Sequence, residues 1–393
     1  MKGRTENGQN VIPILLQLSA HDYEAEKPST MNFESHVLIH RQGGKVFYTH
    51  PFRWWWGPWG GQAGYPKKEK MKVSNLAVEL PLDTLIGPTY DGLDILTGLE
   101  HEANEKSFRL WMELLNHGYR LAATASSDST FDRAYGGNPG LARIYTFLDG
   151  KITLEAVARE TAKGRTFVTN GPLMLVNFAG NPPGTSVPAD GDEKELSLEA
   201  WKSGKDAQGL TAVELYRNGK IYDQVILSKP VEKLEKTWRI SDRTSAWYCV
   251  RILGGVDQKL QAISGAFFLD VEPFQPPEPV LPRIRIQLVD QETGQPLTGI
   301  LTEVDYSNEG TGIFKTHKID KDLVVLRVPG TVRLKAEVPG YEPLTLSPII
   351  DSPGFMDQIT GLAAEDLENW ETFEKIRSEL QSLSLTYLLR RNN

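Results

Sequence analysis

Trp111-Met112-Glu113-Leu114-Leu115-Asn116-His117-Gly118-Tyr119-Arg120, followed by Ala123-Thr124-Ala125-Ser126-Ser127-Asp128, reads as an amphipathic helix ending and a buried strand beginning. The helix closes at Gly118, and the strand delivers one carboxylate, Asp128, into a polar loop. Further on, Gly164-Arg165-Thr166-Phe167-Val168-Thr169-Asn170-Gly171-Pro172 ends a second helix and opens a second strand. Carboxylates and imidazoles at the carboxyl ends of such strands are where α/β barrels keep their chemistry.

Working outward, residues 11–16 and 45–49 read as strands, the second ending at His50-Pro51. Between them residues 33–42 read as a helix that stops at Gly43-Gly44. Strand-like runs recur at 93–96, 120–124, 142–148 and 166–169, with helical patterns before 115 and at 154–162. Strands separated by helices predict βα units and a parallel sheet.

The composition changes near Gly180. Short strands then follow one another without helices, and Asn218-Gly219 is a strong two-residue hairpin signal. This pattern predicts a β-sandwich of immunoglobulin-like size. Residues 272–279 are rich in proline and read as a stiff, extended spacer. Beyond it, alternating Ile284, Ile286 and Leu288 open a second sandwich. That part closes with an amphipathic helix carrying Ala364, Leu367, Trp370, Phe373, Ile376, Leu380 and Leu383 on one face. The expected domains are therefore 1–180, 181–272 and 283–393.

The net charge of −8 over 393 residues argues against a nucleic-acid binder, which needs a basic footprint. No run of about 18 apolar residues marks a membrane span, and the polar first ten residues lack a signal-peptide core. Cys249 is the single cysteine, so neither an intrachain disulfide nor a cysteine zinc site can form. It reads as a packed thiol. Tandem sandwiches and one cysteine fit an exported protein as well as a cytosolic one.

Two side chains stand out as metal candidates. His50 and Asp128 each follow a strand, and imidazole with carboxylate suits zinc or manganese. His21, after the first strand, is a possible third ligand. A hydrogen-bonded structural role is the alternative for each. His36 and His40 lie four apart and read as helix surface, while His117 reads as a helix-end group. Trp54, Trp55 and Trp56 crowd a glycine-rich loop after His50 and, with Arg143, are candidates for contact with a small-molecule or glycan ligand. Alternatively, the tryptophans cover the domain or meet another copy. No phosphate loop, G-x-S-x-G or H-E-x-x-H motif occurs.

These segments together carry a resemblance. Gly43-Gly44-Lys45-Val46-Phe47-Tyr48-Thr49-His50-Pro51, Glu79-Leu80-Pro81-Leu82-Asp83, Leu114 to Arg120, Ser127-Asp128 and Thr169-Asn170-Gly171-Pro172 resemble, in order, the carbaryl-hydrolase-like (CehA/McbA) branch of the polymerase and histidinol phosphatase superfamily. The resemblance implies a distorted (β/α) barrel, bound divalent metal and metal-dependent hydrolysis of an ester, carbamate or phosphoester. It makes His50 and Asp128 metal ligands. The chain departs from the family in lacking an opening His-x-His strand and in having Thr130 where a histidine is usual. The expected fold class is thus α/β plus β, a partial (β/α) barrel followed by two β-sandwich domains. Two functional expectations follow. One is a metal-dependent hydrolase, expected to show little activity as given because the amino-terminal ligands are absent, either through a missing amino-terminal segment or through loss of the chemistry. The other is a non-catalytic binding or assembly protein, possible as a homo-oligomer, using the tryptophan loop and the sandwiches.

Overall fold

The computed structural model describes residues 16–18, 39–40, 42–49, 51, 87–88, 90–97, 101–127, 138–204, 208–278, 280, 283–303, 316–320, 324–327, 334–346, 348 and 370–392. The chain divides into two compact units: Met1–Ser19, Ile39–Gly60 and Tyr90–Pro277 form the first, and Ala20–Leu38, Gly61–Thr89 and Glu278–Asn393 the second.

The first unit begins with four strands, β1 (Leu16–Leu18), β2 (Val46–Tyr48), β3 (Gly92–Thr97) and β4 (Ala122–Ser126), paired in that order and all parallel. Helix α1 (His101–Asn116) connects β3 to β4. It stops because Gly118 takes φ +84°, which lets the Tyr119 N–H reach back to the Leu114 carbonyl. Gly92 lets β3 and β4 approach, since a Cβ there would lie 2.5 Å from the Ala122 oxygen.

The rest of this unit is a sandwich. Its elements are β5 (Arg143–Thr146), α2 (Leu154–Ala162), β6 (Thr166–Thr169), β7 (Leu173–Phe178), β8 (Ser186–Pro188), β9 (Lys194–Trp201), β10 (Leu210–Arg217), β11 (Lys220–Val231), β12 (Lys233–Ile240), β13 (Ala246–Gly254), β14 (Leu260–Ser264) and β15 (Phe267–Asp270). The larger sheet runs β11-β10-β13-β14-β6-β5, with β15 and β8 attached beside β13, and the smaller runs β12-β9-β7. Their inner faces meet in one core that includes Phe178, Leu198, Trp238, Val250 and Phe267. The outer face of the larger sheet is covered by α1, where Phe108 meets Tyr216 edge-on and Trp111 meets Trp247. All nine residues of β13 are consequently buried.

This architecture corrects the expected α/β barrel. Among the described residues, twenty-two strands stand against three α-helices, most strands pair antiparallel, and no barrel closes. The deciding strand is β6. Both its edges are taken, by β14 at Phe167↔Ser264 and by β5 at Tyr145↔Phe167, antiparallel on each side. It therefore belongs to the sandwich and cannot extend the parallel sheet. Residues 272–277, part of the segment 272–279 expected as a stiff, extended spacer, lie along the first unit: the Phe274 ring packs on Arg120, and Pro277 stands beside Gly118.

The second unit contains β16 (Arg283–Asp290), β17 (Gly299–Glu303), β18 (Thr316–Ile319), β19 (Val324–Arg327), β20 (Leu334–Glu337), β21 (Leu344–Leu346), α3 (Trp370–Leu380) and β22 (Leu383–Leu389). They form two sheets, β19-β16-β22 and β18-β17-β20-β21. The buried Asp290 ties the turn after β16 to the Tyr341–Arg391 bridge. It accepts from the Tyr341 hydroxyl at 2.5 Å, the Arg391 Nε at 2.8 Å and the Glu292 and Thr293 amides. These bonds hold its carboxyl far below the usual aspartate value.

Candidate functional site

The sequence candidates His21, His50, Trp54, Trp55, Trp56 and Asp128, together with Thr130, lie outside the described residues. Their immediate neighbours do not. Thr49 and Ser127 stand where β2 and β4 end, at the same edge of the parallel sheet. The register of Tyr48 with Leu93 places Thr49 beside Asp94, and Asp94 in turn pairs with Thr124. Asp94 is only 3% exposed, and its two oxygens accept from Thr124 Oγ1 and Ser126 Oγ, each at 2.6 Å. The Thr49 hydroxyl is buried without a hydrogen-bond partner. The Thr97 N–H donates to Asn104 Oδ1 at 2.7 Å, tying the end of β3 to α1. Among the described residues, no three His, Cys, Asp or Glu side chains are grouped to hold a metal ion.

Arg143 is described. Its Nη atoms donate to the Gly140 and Gly171 carbonyls at 3.2 and 3.4 Å, and its Nε is buried without a partner. Ser127 Oγ donates to the Ala142 carbonyl at 3.1 Å, so the start of β5 is fastened to the end of β4. Cys249 is fully buried, and burial pushes its thiol well above the usual range. His40 packs against Asp91 at 2.8 Å, beside Lys45 at 3.0 Å. Burial raises the Asp91 pKa, but the bonds from His40 and the Val46 amide outweigh it and hold the carboxyl below its ordinary value.

A buried polar cluster escaped the sequence reading. Arg251, in the middle of β13, forms a two-pronged ion pair with Glu105 of α1, and its Nε donates to Gln261 Oε1 at 2.8 Å. Glu214 on β10 faces it and accepts from the Tyr216 hydroxyl at 2.8 Å and from Gln224 at 2.9 Å. Burial alone pulls the Arg251 pKa down, yet the Glu105 carboxylate more than restores it. Burial and the Glu214 charge together push the Tyr216 phenol up. The available signal was one arginine inside the otherwise apolar run 246–254.

The first unit carries an open cleft of about 440 Å³ among its described residues. The end of α1, the Asn218 hairpin turn, the start of β13 and the segment after β15 enclose it. Trp247 organises one wall. Its Nε1 donates to Asn116 Oδ1 and its backbone N–H to Asn218 Oδ1, both at 2.9 Å. Arg120 organises the other. Its guanidinium lies between the Phe268 and Phe274 rings, 4.0 and 3.7 Å from their centroids, and donates to Ser186 Oγ at 2.6 Å and Asp270 Oδ1 at 2.5 Å. Such a stack fixes the exiting chain by cation–π attraction and hydrogen bonding together. The cleft thus offers preset hydrogen-bonding groups around a buried indole.

Neither a family model nor a curated protein matches the chain. Among solved structures, it is similar to the CARDB domain of the PF1109 protein from Pyrococcus furiosus, at 17% identity over 25% of this chain and 88% of that one, with a TM-score of 0.19. It is also similar to BcpA, the major pilin subunit of Bacillus cereus, at 8% identity over 57% and 72% of the two chains and a TM-score of 0.19. A third is the group B streptococcus pilus 2b backbone protein, at 8% identity over 56% and 98%, with a TM-score of 0.18. Likenesses this slight carry no argument about function.

Proposed function

We propose that this chain is a non-catalytic binding or assembly protein, with the first unit's sandwich as its scaffold and the cleft at the end of α1 as its working surface. The observation that carries this reading is the orientation of Asn116 and Asn218 by one residue, Trp247. Their amides are set as binding groups, and orientation before the ligand arrives lowers the entropy cost of binding. The reading is tested on the full chain by thermal-shift and ligand-observed NMR measurements against a diverse small-molecule set. Ligand-dependent shifts lost in Asn116→Ala are expected.

A second reading, a metal-dependent hydrolase using zinc or manganese, is favoured by one observation. The chain passes from β2 through Thr49 to His50 and from β4 through Ser127 to Asp128, and both strands end at the same edge of the parallel sheet. A metal there would lower the pKa of bound water and polarise the scissile group. Metal-dependent turnover of ester, carbamate or phosphoester substrates, abolished by His50→Ala, would overturn the binding reading in its favour.

A further inference from the structure

We infer that the cleft takes a neutral, polyhydroxylated ligand, a sugar residue; this rests on the binding reading above and names its ligand class. Three properties of the walls select it. The first is the supply of donors. Trp247 donates to the Oδ1 atom of both Asn116 and Asn218, which turns each amide so that its Nδ2 group remains as a donor. The assignment follows from the bonding pattern, since an indole N–H and a backbone N–H can only donate.

The second property is the supply of acceptors close by. Glu272 is exposed on the segment that lines the cleft. Ser245 Oγ accepts from the Val271 N–H at 3.1 Å and, with a second lone pair, can accept again. A ligand hydroxyl both donates and accepts, so a ring of hydroxyls can meet amide donors and a carboxylate acceptor in one pose. A carbonyl-only or amine-only ligand satisfies half of that set.

The third property is charge. Arg120 is the cation of the cleft wall, and it is neutralised by Asp270 at 2.5 Å and held between two rings. The carboxyl end of α1, negative by its aligned peptide dipoles, and Glu272 both oppose an anionic ligand. Trp247 is only 4% exposed, which leaves the 37%-exposed Phe274 as the aromatic face, too little for a purely apolar occupant. A volume of about 440 Å³ lies within the range of small-molecule sites.

The test is saturation-transfer difference NMR on the full chain with methyl α-glucopyranoside, methyl β-galactopyranoside and N-acetylglucosamine, beside an acetylated, amidated tri-alanine. Transfer to at least one sugar is expected. Affinity for it should fall about fivefold, the loss of one hydrogen bond, in Asn116→Asp, which keeps the acceptor for Trp247, and separately in Glu272→Gln. The exposed Glu272 variant keeps the test decisive if the Asn116 variant misfolds. Sugar binding unchanged in the folded variants, or transfer to the tripeptide alone, overturns the sugar assignment and leaves the binding reading standing. Silence from every probe, and from the broader set used for that reading, overturns both.

Discussion

The two sheets of the first unit's sandwich share one core but meet different surroundings. The smaller sheet buries one face. Along β9 the residues Leu196, Leu198 and Ala200 point inward, and the residues between them are partly exposed. The larger sheet buries both faces at its middle, because α1 lies across the outside of β10 and β13, and β13 shows no alternation at all, whereas its edge strand β11 stays largely exposed. A strand with one wet face can keep its charges in water. A strand with two dry faces must pair any charge it carries, and that is why Arg251 requires Glu105, 146 residues away in sequence.

The comparison is most exposed to attack at Arg251. Replacing it with Met leaves Glu214 and the inner part of Glu105 facing apolar surroundings without a counter-charge. A loss of about 3–5 kcal/mol in unfolding free energy of the first unit is expected, from breaking one partner of a buried pair. The double variant Arg251→Met, Glu105→Leu should regain much of it. Urea unfolding followed by tryptophan fluorescence measures both, and a single-variant loss below about 1 kcal/mol would mean that α1 does not seal this sheet face.

A smaller effect separates neighbours on the wet-faced sheet. Leu198→Ala should cost about 3 kcal/mol, as a core leucine truncated to alanine does. Glu199→Ala, one residue on, should stay within about 0.5 kcal/mol, as a surface change does. Equal costs at the two positions would dissolve the alternation on which the comparison stands.

The smallest effect concerns the latch between the sheets. Just past β12, Asp242 accepts from Arg217 of β10 at 3.1 and 3.2 Å and from the Tyr248 hydroxyl of β13 at 2.5 Å. Partial burial raises its pKa, but the bonds from Arg217 and Tyr248 outweigh this and hold the carboxyl below its ordinary value. A carboxyl depressed in the folded state contributes stability fully above its unfolded pKa of about 4, and that contribution fades as pH falls through the folded value. Asp242→Asn should therefore lower the thermal midpoint at pH 7 and flatten its decline between pH 4 and pH 2. An unchanged acid limb would remove Asp242 from the latch.

Much of the local structure was legible without coordinates, and residue by residue the reason is the same. The helix stop at Gly118 and the Asn218-Gly219 hairpin need left-handed backbone, and those residues take φ values of +84°, +49° and +79°. The strands near Val46, Leu93 and Ala122 are short apolar runs bounded by turn residues, and they pair parallel in that order. The candidate site was far less legible. Of the residues singled out for contact, Arg143 alone is described, and its guanidinium is turned onto backbone carbonyls. The cleft went unread because Asn116, Arg120, Asn218 and Trp247 come from separate segments, and none looks unusual in its own stretch.

By itself, then, the sequence determined what depends on a few neighbouring residues: where helices stop, where hairpins turn, and which strands carry one wet face. Backbone sterics and a period of two are local properties, and tertiary context leaves them in place. Only the tertiary structure decided that β6 joins β14 and β5, that α1 covers the larger sheet, and that Phe274 docks on Arg120. A strand such as Thr-Phe-Val-Thr satisfies its backbone equally well beside a parallel or an antiparallel neighbour. The choice falls to partners of which β14 lies about 100 residues away, through burial and pairing that no local pattern records.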